Sequence, residues 1–227
     1  MVTYRSHGSG APVTLIGHGL GATPGEARIP ASGVRGTRVV VTLPGHGDEP
    51  DAPDDYWNYS RIAADLREVA REVGATRAIG VSLTAAALVA LLAAEPDAFE
   101  RVALLLPAVL DEPRPRLSRE SMITSVDGPA DYFEQRRWAF RRLDGALAAL
   151  PGQVAVTDLS PLRRVVAPVL VVGAENDPLH PVTVAARTAA AFPNGRLEIV
   201  PSWPDARPSV RGWLADLVSD RPVPSPR

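Results

Sequence analysis

Short apolar runs alternate along the chain with longer amphipathic stretches. The apolar runs predict buried strands at 11–19, 37–47, 76–82, 101–109, within 167–181, and at 196–202. The amphipathic stretches predict helices at 58–74, from Leu83 to about Ala94, at 182–192 and at 208–219. Strands that alternate with helices are typical of an α/β fold, so we expect one mostly parallel, twisted sheet with helices on both faces.

The alternation is interrupted between residues 110 and 165, where no buried strand is predicted. Residues 129–150 predict one or two helices that carry Tyr132, Phe133, Trp138 and Phe140. Two interpretations are open: a small helical lid over a site, or extra helices that cover a sheet edge. We expect a single domain over 1–227, with a helical lid at about 110–165 and a disordered, proline-rich tail at 220–227.

Composition and charge narrow the class of protein. The chain has 227 residues, of which 45% are hydrophobic, and 24 basic against 26 acidic residues. This balance disfavours nucleic-acid or anionic-membrane partners. The N-terminus lacks an apolar signal core, and no apolar run is long enough to span a membrane. The expected location is therefore cytoplasmic, and the expected partner is a small-molecule substrate.

The inventory of reactive side chains is short. Cysteine and lysine are absent, which excludes disulfides, thiolate nucleophiles, lysine Schiff bases and phosphate loops with an invariant lysine. The four histidines are His7, His18, His46 and His180. They are scattered and lack the spacing of paired ligands, so neither a metal site nor a cofactor is expected.

The stretch RAIGVSLTAAA (77–87) contains the strongest candidate for chemistry. A predicted strand runs into a turn at Ser82, and an alanine-rich helix follows. Such a turn exposes the serine hydroxyl, and the helix N-terminus stabilises negative charge beside it. Gly80 supplies the small residue that lets strand and helix pass closely. Thr84 fits this pattern poorly, because glycine is usual at its position.

Four motifs in order make the sequence resemble the α/β-hydrolase superfamily over nearly its whole length. They are GHGLG (17–21), LPGHGDE (43–49), the turn at Ser82, and GAENDPLHP (173–181). The resemblance implies that Ser82 is a nucleophile and that the backbone amides of Leu20 and Leu83 form an oxyanion hole. His18, Gly19 and Gly80 would then have supporting roles.

The resemblance also implies that Asp177 is the acid that orients a catalytic histidine, with Glu175 a less favoured substitute. Taken alone, Asp177-Pro178 could simply begin a turn. In the family, the histidine lies in the loop after the last strand. Here that loop is IVPSWPDARPSV (199–210), and it contains no histidine, nor does any residue from there to Arg227.

The remaining histidines offer one alternative base. His7 is expected in a surface turn, His46 in a structural position, and His18 on the wrong side of the serine. His180 follows Asp177 by three residues at the correct end of the sheet. We expect it to support the loop, because the family's acid and histidine come from different loops.

Two functions remain open. The first is a hydrolase that cleaves a carboxylic ester, thioester or related acyl bond through Ser82, weak or atypical because its histidine is missing. The alternative is a non-hydrolytic enzyme of cyclisation or elimination type, or a ligand-binding protein that retains the fold. A histidine introduced within 202–206 is predicted to raise activity. The lid aromatics favour an apolar substrate, although core packing explains them equally well.

Overall fold

The computed structural model describes residues 2–23, 25–124, 130–202 and 205–215. The strands are β1 (Thr3–His7), β2 (Val13–Gly17), β3 (Thr37–Thr42), β4 (Arg77–Val81), β5 (Arg101–Leu105), β6 (Val169–Ala174) and β7 (Gly195–Val200). The α-helices are α1 (Tyr59–Val73), α2 (Leu83–Ala94), α3 (Arg119–Thr124), α4 (Ala130–Phe140), α5 (Asp144–Ala149), α6 (Val182–Ala191) and α7 (Ala206–Ala215). Short 3₁₀ helices span Glu26–Ala31, Leu150–Gly152 and Ser160–Arg164.

The strands form one sheet in the order β1-β3-β2-β4-β5-β6-β7. All neighbours are parallel except β1, which pairs antiparallel with β3. The predicted fold class is therefore confirmed. Because β2 to β7 run in the same direction, the loops after their carboxyl ends meet at one edge of the sheet.

Strand β1 was not predicted, because its sequence TYRSH is polar and mostly exposed at the edge of the sheet. The residues around His7 were expected to form a surface turn. His7 instead ends this strand, opposite Arg38 of β3.

Successive residues of the central strands face opposite sides of the sheet and build two cores. In β2, Leu15 belongs to the larger core and Ile16 to the smaller one. In β5, Leu104 belongs to the larger core and Leu105 to the smaller one. The larger core includes the buried faces of α1 and α2, and the smaller one includes Val210 and Leu214 of α7. Helices thus cover both faces, which explains why the strands read as continuous apolar runs.

The ends of α1 and α2 follow local signals in the sequence. Asn58 caps α1, and its side-chain oxygen accepts a hydrogen bond from the Ser60 amide at 2.8 Å. Gly74 ends the same helix in the left-handed region, with φ of 65°. Helix α2 spans Leu83–Ala94, as predicted.

The insertion between β5 and β6 contains three short α-helices among its described residues. It carries α3, α4 and α5, so the prediction of helices within 129–150 is confirmed. Phe140 is fully buried, whereas Trp138 is 53% exposed. The predicted tail at 220–227 and the predicted end of the last helix lie outside the described residues. No helix in the described ranges is both long and apolar enough to cross a membrane.

Candidate active site

Ser82 stands at the sharp turn between β4 and α2. Its φ of 49° and ψ of −99° lie in a region that non-glycine residues rarely adopt. The amide of Ser82 donates to the Leu105 carbonyl at 2.9 Å, which fixes the turn against β5. A Cβ on Gly80 would lie 2.8 Å from the Thr84 carbonyl oxygen and 2.9 Å from the Ala85 nitrogen. Glycine is therefore required where β4 passes α2, as the sequence predicts.

Thr84 is accommodated by a second glycine. The threonine is fully buried, and its Oγ1 accepts from the Val81 amide at 2.9 Å and donates to the Val81 carbonyl at 3.2 Å. A Cβ on Gly17 of β2 would lie 2.7 Å from the Thr84 Cβ. The threonine thus stabilises the turn by hydrogen bonds and occupies the space beside Gly17 that a larger residue there would fill.

His180 lies against Ser82. Its Nε2 is 2.8 Å from the Ser82 Oγ, and its Nδ1 is 2.7 Å from the Asp177 Oδ2. A carboxylate can only accept, so Nδ1–H donates to Asp177 and Nε2 is left to accept from the serine hydroxyl. The expectation that Ser82 lacks a histidine partner is corrected by this contact.

The loop after β6 folds so that it supplies both Asp177 and His180. The Asp177 Oδ1 accepts from the amides of Leu179 at 2.9 Å and His180 at 3.2 Å. This turn, closed by the aspartate on its own backbone, brings the side chain three residues later back beside Oδ2. Spacing alone does not reveal the turn, so the sequence predicts only a supporting role for His180.

Asp177 is placed to hold a negative charge. Burial by itself would raise the pKa of this carboxyl group, but the hydrogen bonds from the His180 ring and the two amides outweigh burial. The net pKa of Asp177 is lowered, so the group is ionised at neutral pH. Glu175 is exposed on the same loop. This exposed position does not support Glu175 as an alternative to Asp177.

The loop after β7, where the family places its histidine, still reaches the site. Pro201 and Ser202 line the same cavity as Ser82. The Ser202 hydroxyl donates to the Asp205 Oδ2 at 2.7 Å. Residues 203 and 204 lie outside the described part of the chain.

His18 and His46 hold two loops together by reciprocal hydrogen bonds. The His18 Nε2 accepts from the Leu43 amide at 3.1 Å, and the His46 Nε2 accepts from the Gly21 amide at 3.0 Å. The two rings lie 4.4 Å apart, measured between centroids. The loop after β2 is thereby fixed against the loop after β3.

Both of these histidines are neutral for a physical reason. Burial lowers the pKa of His18 and lowers that of His46 well below the ordinary value of 6.5. Each Nε2 must stay unprotonated to accept its amide hydrogen bond. His46 therefore has the structural position that was predicted, and both ring nitrogens of His18 contact backbone groups.

The backbone amides of Leu20 and Leu83, which are predicted to form the oxyanion hole, lie beside the cavity. Leu83 begins α2, so its amide has no acceptor within the helix. Leu20 follows Gly19 in the loop fixed by the two histidines. Within the described residues, neither amide is paired with an acceptor, and both residues line the cavity with Ser82.

The cavity above Ser82 has a volume of about 440 Å³. The insertion forms part of its wall through Met122, Tyr132, Arg136 and Leu150. Of the four lid aromatics named above, only Tyr132 is among the residues that line it. The wall is not purely apolar, because Glu26, Arg114 and Arg136 also line it. No group of three or more histidine or carboxylate side chains in the described ranges is arranged to hold a metal ion.

Comparison of the sequence with models of protein families identifies the family of this chain. The model of the alpha/beta hydrolase family matches residues 15–206. The chain therefore belongs to the α/β-hydrolase family, as the sequence motifs predict.

Solved structures of hydrolytic enzymes share the fold at low sequence identity. The enol-lactonase from Burkholderia xenovorans LB400 is 18% identical, with a TM-score of 0.75 over 96% of this chain and 95% of that one. An esterase from Exiguobacterium antarcticum is 17% identical, with a TM-score of 0.71 over 96% and 94%. A hydrolase from Pseudomonas aeruginosa PA01 is 18% identical, with a TM-score of 0.73 over 96% and 93%.

Proposed function

We propose that this protein hydrolyses a carboxylic ester, thioester or related acyl bond, with Ser82 as nucleophile, His180 as general base and Asp177 as the group that orients the imidazole. The observation that carries the proposal is the continuous contact from Asp177 through His180 to Ser82, at 2.7 and 2.8 Å. A serine hydroxyl is a poor nucleophile until a base takes its proton, and His180 is within reach of it.

In the first half of the reaction, the Ser82 Oγ attacks the acyl carbon and its proton passes to the His180 Nε2. Asp177 stabilises the imidazolium that forms. The amides of Leu20 and Leu83 bind the oxyanion of the tetrahedral intermediate, a contribution of roughly 3–4 kcal/mol per donor in comparable sites. The intermediate then expels the alcohol or thiol, which takes its proton from Nε2, and an acyl group remains on Ser82.

In the second half, His180 takes a proton from a water molecule, and the resulting oxygen attacks the acyl carbon. The second tetrahedral intermediate expels the Ser82 oxygen, which recovers its proton from the His180 Nε2. A carboxylic acid is released and the starting state is restored.

The strained turn supports a chemical role for Ser82 over a purely architectural one. A non-glycine residue with a positive φ costs of order 1–3 kcal/mol, and such strain is concentrated at functional sites. The contact of this hydroxyl with an oriented imidazole is a second observation that supports a nucleophilic role.

The experiment compares the unmodified protein with Ser82→Ala. A fluorophosphonate probe is expected to label the former and not the latter, and short p-nitrophenyl esters are expected to be turned over only by the former. Intact-mass analysis should show one phosphonyl group per chain, and peptide mapping should assign it to Ser82. Absence of labelling, with equal background turnover in both proteins, would contradict the proposal and favour a binding function.

A further inference from the structure

Arg114 brings a positive charge to the cavity above Ser82. It lies between β5 and α3, and it lines the cavity together with Ser82. Its Nε is buried and has no hydrogen-bond partner in the described structure. Its recorded contact is from Nη2 to the Met122 Sδ at 3.8 Å, and a thioether is a weak acceptor. No carboxylate of the described residues forms an ion pair with it.

The other arginine of the cavity, Arg136, also has an Nε that is unpartnered among the described residues, but it does have a carboxylate partner. The Arg136 Nη1 lies 3.5 Å from the Glu26 Oε1, and its Nη2 donates to the Met122 carbonyl at 2.9 Å. Tyr132 also donates to Glu26. Burial and this hydrogen bond raise the pKa of Tyr132 to about 12, so the hydroxyl stays protonated. The charges of Arg136 and Glu26 are thus matched to each other.

The acidic residues near Arg114 in sequence are also engaged elsewhere. Asp111 and Glu112 pair with Arg187, at 2.7 and 2.8 Å. These three residues line a neighbouring cavity, which Arg114 also borders. Glu26 and this acidic pair therefore have arginine partners of their own, and Asp177, which also lines the cavity, is paired with His180. The guanidinium of Arg114 is left without a carboxylate partner in the described part of the chain, and a ligand could supply one.

The environment of Arg114 does not remove its charge. Burial lowers the pKa of the guanidinium, and the electrostatic interaction with Tyr59 acts in the opposite direction. A guanidinium nevertheless remains protonated in proteins. A partly buried cation without a counterion is costly, so an anionic group entering the cavity gains the pairing that the protein does not supply.

We propose that the substrate carries a free carboxylate, which Arg114 binds while Ser82 attacks the acyl bond. This inference rests on the proposed hydrolytic function, because it names the class of substrate for the same site. A single guanidinium matches the charge and planar shape of a carboxylate, with which it forms paired N–H···O contacts. The substrate is thus the monoester or monothioester of a dicarboxylic acid, or a lactone that carries a separate carboxylate.

A matched pair of substrates tests the proposal. Mono-p-nitrophenyl glutarate has a free carboxylate, and methyl p-nitrophenyl glutarate differs from it by one methyl group and one charge. We expect kcat/KM to be about tenfold higher for the free acid, from one charge-assisted contact. Arg114→Met should abolish this preference and Arg114→Lys should retain part of it. Arg116→Met, at an exposed position outside the cavity, should leave it unchanged.

A binding measurement separates this proposal from the catalytic one. Monomethyl glutarate and dimethyl glutarate are titrated into Ser82→Ala, which retains Arg114 and needs no chemistry. Preferential binding of the free acid that disappears in Ser82→Ala/Arg114→Met supports the carboxylate site even if no ester is hydrolysed. Equal binding of the two compounds, or a preference that survives Arg114→Met, overturns it even if Ser82-dependent hydrolysis is found.

Discussion

Asp177 and His180 are three residues apart on one loop, and the His180 Nδ1 lies 2.7 Å from the Asp177 Oδ2. The same ring presents Nε2 to the Ser82 hydroxyl at 2.8 Å. The loop after β6 therefore supplies both partners of the serine. The loop after β7 contains no histidine.

Asp177→Asn is expected to lower kcat by about 10³–10⁴-fold, because an amide nitrogen facing Nδ1 favours the tautomer whose Nε2 carries the proton. Turnover of p-nitrophenyl butyrate measures the effect. Glu175→Gln, an exposed residue on the same loop, serves as the control and should stay within twofold of the unmodified protein. A similar loss in both variants would contradict the assignment of Asp177 as the residue that orients the His180 ring.

Ser202→His is expected to give no increase in esterase activity. This prediction reverses the one drawn from sequence, because the Ser82 hydroxyl already contacts the His180 Nε2. The measurement is kcat/KM for p-nitrophenyl butyrate, with Ser202→Asn as the control for the altered side chain. A gain of tenfold or more in the histidine variant would show that His180 does not serve as the base.

Gly17→Ala is expected to destabilise the fold by about 1–3 kcal/mol, since its Cβ would lie 2.7 Å from the Thr84 Cβ and Oγ1. Urea unfolding measures the free energy. In the background of Thr84→Gly, the same change should cost much less, because the crowding atoms are gone. Gly152→Ala, where no atom lies within 4 Å of the added Cβ, should be close to neutral. Equal costs of Gly17→Ala in both backgrounds would disprove the close contact.

The stability of the protein is expected to fall as the pH drops below about 6.5. The pKa values of His18 and His46 are lowered in the folded state, so the unfolded chain binds more protons in this range. The loss reaches at most about 1.4 kcal/mol per pH unit for each histidine. His46→Gln retains an acceptor for the Gly21 amide but cannot titrate, so it should show a shallower dependence. An unchanged slope from pH 7 to pH 5 would contradict the neutral assignment of His46.

The sheet and its helices could be predicted from the sequence because the periodicity of apolar residues and the positions of turn-forming residues are local signals. Strands β2 to β7 and helices α1 and α2 follow directly from such signals. The polar edge strand β1 carries no apolar signal, since its stability comes from pairing with β3. Its existence therefore depended on a partner that the local sequence does not reveal.

Some features of the site could likewise be predicted from the sequence, and others could not. The positions of Ser82 and Asp177 follow from motifs at strand ends, which topology brings to one edge. The contact of His180 depends on how the Asp177 Oδ1 folds the loop onto the amides of Leu179 and His180. Within the described residues, Arg114 lacks an ion-pair partner because Glu26, Asp111 and Glu112 form ion pairs with other arginines. Neither property can be derived from spacing in the sequence.

The most direct test of the account is the role of His180 as base. The second-order rate of fluorophosphonate labelling and the kcat/KM for p-nitrophenyl butyrate are measured for His180→Gln and His7→Gln. His180→Gln is expected to lose at least about 10³-fold in both quantities, because Ser82 then lacks its base. His7→Gln, which alters the end of strand β1, is expected to stay within twofold of the unmodified protein. Activity of His180→Gln within twofold of the unmodified protein would contradict the account.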